Sequence, residues 1–168
     1  LMIILVRHGR THLNASRCLQ GRIDADLDEL GKQQADAVGR YLANAIEPAR
    51  IISSPLHRAQ QTAAAIASHF GRTDVETDER WIEIDYGIYD GFPLGDVPRE
   101  VWNQWRTQPN FVPEGGESFA TLHDRVHAAC RDLVESASNA DTIVVSHVSP
   151  MKSACAWALG ADPAVSHR

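Results

Sequence analysis

The sequence predicts an α/β fold, a three-layer sandwich in which a mostly parallel sheet carries helices on both faces. Two observations predict it. Short, nearly continuous apolar runs alternate along the chain with longer segments in which apolar residues recur at helical spacing. Such runs are typical of parallel strands, which are buried on both faces. The 168 residues are enough for a sizeable core, and we expect one domain over residues 1–168.

The first half of the chain is predicted to begin with a strand over residues 3–6, because Ile3, Ile4, Leu5 and Val6 are all apolar. Residues 28–45 follow as a helix with one apolar face. Residues 49–53 form a second strand, and residues 55–70 a helix that opens with Pro55 and ends before Gly71. Residues 75–77 are expected to be a short edge strand.

The second half opens with a loop over residues 86–97, which is rich in glycine and proline. A short helix is expected around Val101, Trp102 and Trp105. Residues 118–137 form the longest helical pattern, with Ser118 as its cap. Residues 142–145 are a third strong strand, and residues 149–159 a last helix closed by Gly160.

Composition excludes several classes of protein. The net charge of −6 argues against general nucleic-acid binding, which needs a basic surface. No apolar run approaches the ~20 residues of a membrane helix. Three cysteines without a CxxC spacing indicate reduced thiols and a cytoplasmic location. Because Leu1 precedes Met2, we expect a domain cut from a longer chain or an added first residue.

Basic residues follow the three strong strands at the point where each strand ends. Arg7 and His8 come after the first strand, Arg58 lies one turn into the helix after the second, and His147 follows the third. The carboxyl ends of parallel neighbours meet at one edge of a sheet, where ligands bind. Guanidinium groups match phosphate oxygens there. Taken singly, these residues also fit a solvated strand exit, a surface helix position and a satisfied core histidine.

Zinc is the alternative ligand for this sheet edge. His8, His12, His147 and Glu83 are residue types that bind it. However, the sequence has no HExxH motif and no cysteine cluster, and two arginines beside a cation would be unfavourable. We therefore expect neither a metal nor an organic cofactor.

Arg7-His8-Gly9 after a strand resembles the signature of the histidine phosphatase superfamily, also called phosphoglycerate mutase-like. Further matches follow in order along the whole chain: Thr11, Asn14, Gln20-Gly21, DADLDELG, SSPLHRAQQTA, WIEIDYGIYDG, PEGGES and VVSH. The segment SHVSPMK is similar to the acid phosphatase domain of actinobacterial ribonuclease H/acid phosphatase fusions, and α-ribazole phosphatase is a further relative that the resemblance suggests. Family members usually continue into another strand, so we expect either a missing tail after Arg168 or a shorter sheet.

The resemblance implies a phosphatase that hydrolyses small phosphomonoesters. His8 would form a phosphohistidine, with its other ring nitrogen held by a backbone carbonyl, and Glu83 would donate and accept the proton. Asp85 and Asp90 are rivals of Glu83 for that role. The residues that would hold the phosphate or the substrate are Arg7, Arg58, His147, Asn14, Gln20 and Gly21. The expected partners are phosphate and a small phosphorylated metabolite; the oligomeric state stays open.

Two other functions remain as alternatives: a phosphoglycerate mutase-type phosphotransferase and a catalytically silent phosphate-binding module. The short stretch from Gly91 to Pro113 favours hydrolysis over the mutase. The sequence departs from the family pattern at Arg10, Cys18 and Val148. Trp102, Trp105 and Phe111 fit equally a lid over the pocket and a piece of core.

Overall fold

Parallel strands form the sheet in a computed structural model, which describes residues 2–135, 141–162 and 165. Within those residues the strands are β1 (Ile3–Arg7), β2 (Pro48–Ser53), β3 (Glu76–Thr77) and β4 (Asp141–Ser146). Their order across the sheet is β1-β4-β2-β3, and every pair is parallel. All three strong strands and the weak edge strand are therefore confirmed.

The strand register aligns the carboxyl ends of β1, β4 and β2. Arg7 in β1 pairs with Ser146 in β4, and Ser53 in β2 pairs with Val145 in β4. The residues that directly follow these strands therefore emerge at one edge of the sheet. That edge is where the sequence predicts a site.

Helices connect the strands and cover the sheet. In the described residues they are α1 (His12–Ala15), α2 (Glu29–Ala43), α3 (His57–His69), α4 (Arg99–Thr107), α5 (Phe119–Glu135) and α6 (Val148–Ala158). The sequence predicts all of them except α1, and the predicted 86–97 loop contains one 3-10 turn, Gly87–Tyr89. Over the described part of the chain, no helix is both long enough and apolar enough to cross a bilayer.

The predicted 118–137 helix begins one residue later, at Phe119, because Ser118 is its cap: the Ser118 hydroxyl accepts a hydrogen bond from the Thr121 N–H at 3.1 Å. Its last two predicted residues lie outside the described residues, as do Leu1 and Arg168.

Alternating residues of the central strands build two separate cores. Ile52 and Val144 pack with residues of α5 and α6 on one face of the sheet. Ile51, Ile143 and Val145 pack with residues of α2 and α3 on the other face. This is the consequence of successive strand side chains pointing to opposite faces. The three-layer sandwich is therefore confirmed.

A third cluster settles how the aromatic residues of α4 are used. Trp105 is 2% exposed and packs with Leu19 and Val97, with Phe111 against it. Trp102 is only partly buried and lines the cavity at the edge of the sheet. Trp105 and Phe111 therefore belong to the core, and Trp102 forms part of the cavity wall.

Candidate active site

A cavity of about 540 Å³ lies at the carboxyl edge of the sheet. Most of the residues that the sequence nominates lie on its wall. The lining residues are Arg7, His8, Asn14, Arg17, Cys18, Leu19, Gln20, Gly21, Arg58, Glu83, Tyr86, Leu94, Trp102 and Val148. A neighbouring cavity of about 420 Å³ shares Arg7, His8 and Asn14 with it.

His8 is held in one tautomer by the residue that follows it. Its Nδ1 lies 2.7 Å from the carbonyl oxygen of Gly9. Because a carbonyl only accepts, Nδ1 carries the proton and Nε2 keeps its lone pair. Burial lowers the pKa of His8 to about 3; the Gly9 carbonyl opposes this shift, and the charges of Arg58 and Arg7 add to it. The imidazole is therefore neutral at ordinary pH and nucleophilic at Nε2.

The Gly9 carbonyl is itself fixed by close packing. The Gly9 N–H donates to the Thr62 hydroxyl at 3.0 Å. A Cβ atom at Gly9 would clash with the carbonyl oxygen of Gly31. Only glycine allows this approach of the β1 exit to the start of α2. The RHG triplet thus places His8 and also the group that orients its ring.

Arg58 is a fully buried guanidinium in the first turn of α3. Its Nη1 and Nη2 atoms donate to the carbonyls of Ile23 and Gly21, each at 2.7 Å. Its Nε is buried without a partner among the described residues. Burial lowers the pKa of Arg58 to about 10, so the side chain still carries its charge at neutral pH. A buried donor of this kind needs an anion or water to complete its hydrogen bonds.

Arg7 lies on the cavity wall, whereas the predicted site residue His147 is not among the lining residues and lies beside His8, with 5.1 Å between the ring centroids. The Arg7 side chain is exposed and forms no ion pair with the described residues. His147 is fully buried, with Nε2 2.7 Å from the Ser54 hydroxyl and Nδ1 unpartnered within the described chain. Burial, with the charge of Arg58 adding, lowers the pKa of His147 well below its usual value. It is therefore a neutral ring at ordinary pH.

Glu83 is the carboxyl group on the cavity wall. It is 7% exposed, and its Oε1 accepts from the N–H groups of Ile84 at 2.8 Å and Ser149 at 3.3 Å. Burial raises the pKa of Glu83 above its usual value, although these donors oppose the shift. A carboxyl group whose pKa is raised holds its proton more readily, which suits a general acid. The rivals Asp85 and Asp90 do not line the cavity.

An ion pair beneath the cavity fixes the backbone that carries Glu83. Arg125 donates to both carboxylate oxygens of Glu117, at 2.8 and 2.9 Å. The same guanidinium donates to the carbonyls of Arg80 and Ile82, each at 2.7 Å. Glu117 therefore has a structural part, as its place outside the cavity also indicates.

Asn14, Gln20 and Gly21 form the rim nearest β1. Thr11 organises two of them: its N–H donates to Asn14 Oδ1 at 3.2 Å, and its hydroxyl donates to Gln20 Oε1 at 3.1 Å. Gln20 Nε2 is buried and has no partner in the described chain. Asn14 and Gln20 both lie on the cavity wall. Gly21 adopts a φ of +47°.

Several cavity residues were not nominated as site residues from the sequence. Arg17 and Tyr86 are polar examples, and Leu19 and Leu94 are apolar ones. The T-x-x-N capping box marks only the start of α1, so no signal in the sequence pointed to Arg17. His12 and the zinc alternative find no counterpart: within the described ranges, no three potential ligand side chains come together as a metal site.

Comparison with known proteins agrees with this geometry. A sequence profile of the histidine phosphatase superfamily (branch 1) matches residues 3–168. The bifunctional protein Rv2228c of Mycobacterium tuberculosis is 34% identical over 169 residues, which are 99% of this chain and 46% of that protein. The chain thus spans about half the length of this relative. A probable phosphoglycerate mutase GpmB of Salmonella paratyphi C is 39% identical over 153 residues, covering 88% of this chain and 69% of that protein.

Solved structures show the same fold. Mycobacterial glucosyl-3-phosphoglycerate phosphatase Rv2419c, in complex with VO3, matches with a TM-score of 0.87 and 27% identity, over 98% of this chain and 83% of that one. A mutant of phosphoserine phosphatase from Entamoeba histolytica, in complex with phosphoserine, gives 0.86 and 28% over the same shares. Sequence, fold and the ordered motifs around one cavity agree: the chain belongs to the histidine phosphatase superfamily.

Proposed function

We propose that this protein hydrolyses small phosphomonoesters through a phosphohistidine on His8. One observation carries the proposal: the Nδ1–H of His8 donates a hydrogen bond to the Gly9 carbonyl, which leaves the Nε2 lone pair for a phosphorus atom. Arg7 and Arg58 line the same cavity and His147 lies against the His8 ring; in our proposal all three donate to the phosphate oxygens. The family match over residues 3–168 supports one phosphatase domain over residues 1–168.

In the first step, the Nε2 lone pair of His8 attacks phosphorus and the bond from phosphorus to the ester oxygen breaks. Its electron pair goes to that oxygen, which takes the proton of the Glu83 carboxyl group. The alcohol then leaves. The raised pKa of Glu83 supports this assignment, because it favours the protonated form that a general acid needs. This is our reason for proposing an acid-phosphatase type of enzyme.

In the second step, Glu83 is a carboxylate and acts as base. It takes a proton from water, whose oxygen attacks the phosphorus of phosphohistidine. The bond from phosphorus to Nε2 breaks, and its electron pair returns to the ring. The products are inorganic phosphate, neutral His8 and protonated Glu83. One carboxyl group can serve both steps because the proton that Glu83 takes from water in the second step replaces the proton that it gave to the alcohol in the first.

The test combines turnover with capture of the intermediate. We expect hydrolysis of p-nitrophenyl phosphate in the presence of a chelator, and none by a folded His8→Ala variant. Acid-labile, base-stable labelling of wild type by a radioactive phosphoester should be lost in the same variant. Retained turnover in His8→Ala would overturn the assignment. Activity that a chelator removes and added metal restores would return the zinc alternative.

A phosphoglycerate mutase is the second candidate, since a relative named probable phosphoglycerate mutase GpmB is 39% identical to this chain. A mutase passes its phosphoryl group back to a hydroxyl acceptor instead of water. Incubation of the labelled enzyme with 2-phosphoglycerate or 3-phosphoglycerate separates the two functions. Label that appears in bisphosphoglycerate faster than in inorganic phosphate would favour the mutase.

A further inference from the structure

Arg17 is a cation on the cavity wall that the mechanism above does not use. It lines the same cavity as His8 and Arg58. Arg17 is exposed, and its guanidinium forms neither a hydrogen bond nor an ion pair with any residue that the structure describes. A long, charged side chain without a protein partner at the mouth of a cavity can serve a ligand.

The backbone at Arg17 is unusual. Its φ is +58°, and among the described residues it is the sole non-glycine residue with positive φ. The hydrogen bonds explain why: the Cys18 N–H bonds to the Leu13 carbonyl at 2.9 Å, and the Arg17 N–H bonds to the Asn14 carbonyl at 3.1 Å. This is the pattern that ends a helix with a left-handed residue, and that residue is usually glycine.

Arginine at this position therefore costs local stability. A side chain with a Cβ atom in the left-handed region costs about 1–2 kcal/mol relative to glycine. Residues held in such conformations are found preferentially at binding and active sites. Glycine would form this helix end at lower cost, so the fold of α1 does not require the arginine side chain.

The segment that carries Arg17 is fixed rather than free to swing. The Leu94 N–H donates to the Arg17 carbonyl at 3.0 Å, and the Leu19 N–H donates to the Phe92 carbonyl at 2.9 Å. Cys18 and Pro93 form an isolated antiparallel bridge between the same two segments. The Cα atom of Arg17 is thus held at the mouth of the cavity, which preorganises its side chain for a ligand.

The charges on the cavity wall indicate what Arg17 would bind. Arg7 and Arg58 provide two positive charges for a phosphate dianion. Arg17 is a third positive charge, and among the described residues that line the cavity the only acidic one is Glu83, whose raised pKa favours the neutral form. One guanidinium is left to match one further negative charge, which a carboxylate carries in a geometry that fits its planar fork.

We propose that Arg17 binds a carboxylate group of the substrate and so selects phosphomonoesters of carboxylic acids. The proposal rests on the proposed phosphatase function and names the substrate class of the same cavity. The apolar wall formed by Leu94, Trp102 and Val148 lies in the same cavity and contacts the carbon skeleton that joins the two anionic groups.

The test uses two esters that differ only in the carboxylate: 3-phosphoglycerate and glycerol 3-phosphate. The measured quantity is the ratio of their kcat/KM values in wild type, Arg17→Gly, Arg17→Gln and Arg131→Gln. Arg131 is an exposed arginine on α5 outside the cavity, so its variant loses the same charge from the surface. Arg17→Gly also relieves the backbone, so its thermal stability should equal or exceed that of wild type.

We expect wild type to prefer 3-phosphoglycerate. Both Arg17 variants should lower the ratio about tenfold, as expected for one charge-assisted hydrogen bond at a partly exposed site. Arg131→Gln should keep the wild-type ratio. An equal ratio in all four proteins, or no wild-type preference for the carboxylate, would overturn the proposal.

Binding separates this proposal from the proposed function. The same two esters are titrated calorimetrically into the His8→Ala protein with and without Arg17→Gly, which gives a ratio of Kd values that needs no turnover. If wild type shows no hydrolysis, a carboxylate preference in these titrations that depends on Arg17 would support the binding role and refute only the phosphatase. Hydrolysis without that dependence would refute only the role of Arg17.

Discussion

The imidazole rings of His8 and His147 lie 5.1 Å apart between their centroids and are tilted by 54°. Both rings are buried beside the positive charge of Arg58. If the rings were protonated, they would repel each other and the Arg58 guanidinium. Burial lowers both pKa values, so the rings stand together as neutral groups. In the proposed mechanism, the neutral His8 ring acts as nucleophile and the His147 ring hydrogen-bonds the phosphate.

This arrangement makes the stability of the fold depend on pH in a defined direction. Because the pKa of His8 is about 3 when folded and 6.5 in the reference state, the unfolded chain binds a proton that the folded chain refuses. The stabilisation is complete above about pH 6.5 and is lost as the pH falls towards 3.

We expect the free energy of unfolding of His8→Gln to fall less steeply with decreasing pH than that of wild type, by about 1.4 kcal/mol per pH unit. Denaturant unfolding at several pH values between 4 and 6 measures how the free energy of unfolding of each protein changes with pH. Titratable groups other than His8 and its neighbour His147 contribute equally to both proteins and cancel in the comparison. Parallel curves would contradict the lowered pKa.

Glu83 should matter most when the leaving group needs a proton. Glu83→Gln is expected to lower kcat/KM for an alkyl phosphate by about 10²–10⁴-fold, the usual contribution of general acid catalysis. The loss should be much smaller for p-nitrophenyl phosphate, since p-nitrophenolate leaves without protonation. Asp85→Asn serves as control and should leave the ratio of the two substrates as in wild type. Equal losses on both esters would move the acid role away from Glu83.

The pH profile of phosphoryl transfer should have no acidic limb until well below pH 5, because His8 is neutral down to about pH 3. On the alkaline side, kcat/KM should fall as the Glu83 carboxyl loses its proton, and the raised pKa of Glu83 places this fall above the usual range of carboxyl groups. The ratio of wild type to Glu83→Gln at each pH removes the titration of the substrate. A ratio that does not change with pH would show that Glu83 is not the titrating acid.

Gly21→Ala tests the loop that receives Arg58. At Gly21 a Cβ atom would clash with Asp90 Oδ1, and φ is +47°. Gly71 has a φ of +65° with open space around it, so Gly71→Ala reproduces the backbone strain of about 1–2 kcal/mol without the contact. We expect Gly21→Ala to lose more stability than Gly71→Ala, and to lose phosphatase activity as well. Calorimetric unfolding and p-nitrophenyl phosphate turnover measure the two effects; identical behaviour would show that the Asp90 side chain simply moves aside.

The sequence predicted the sheet because its strands are marked by local composition: Ile143, Val144 and Val145 are apolar and β-branched, and buried parallel strands need such runs. It did not predict α1, which has four residues, none of them buried. A helix that short has no apolar periodicity, and only the pairing of Thr11 with Asn14 marked its start.

The site could be nominated from order and residue type, but not its electrostatics. That Glu83 would be 7% exposed depends on residues such as Ser149 that come from a distant part of the chain. The left-handed backbone at Arg17 was equally invisible, since nothing in an arginine side chain announces a glycine-like conformation. Trp102 and Trp105 are both tryptophans and lie three positions apart in the sequence. Only the folded structure shows that Trp105 belongs to the core and Trp102 to the cavity wall.

The two cores on opposite faces of the sheet determine how this protein would lose its activity. Arg58 comes from α3 on one face, whereas Glu83 is braced by Arg125 of α5 on the other. A chain that loosened one layer would keep the packing of the other, yet in the proposed mechanism it could no longer hold a phosphate between Arg58 and Glu83. Activity thus requires both layers to be intact, which is a stricter condition than being folded. We expect mild heat or a core substitution in either layer to abolish activity before the protein unfolds.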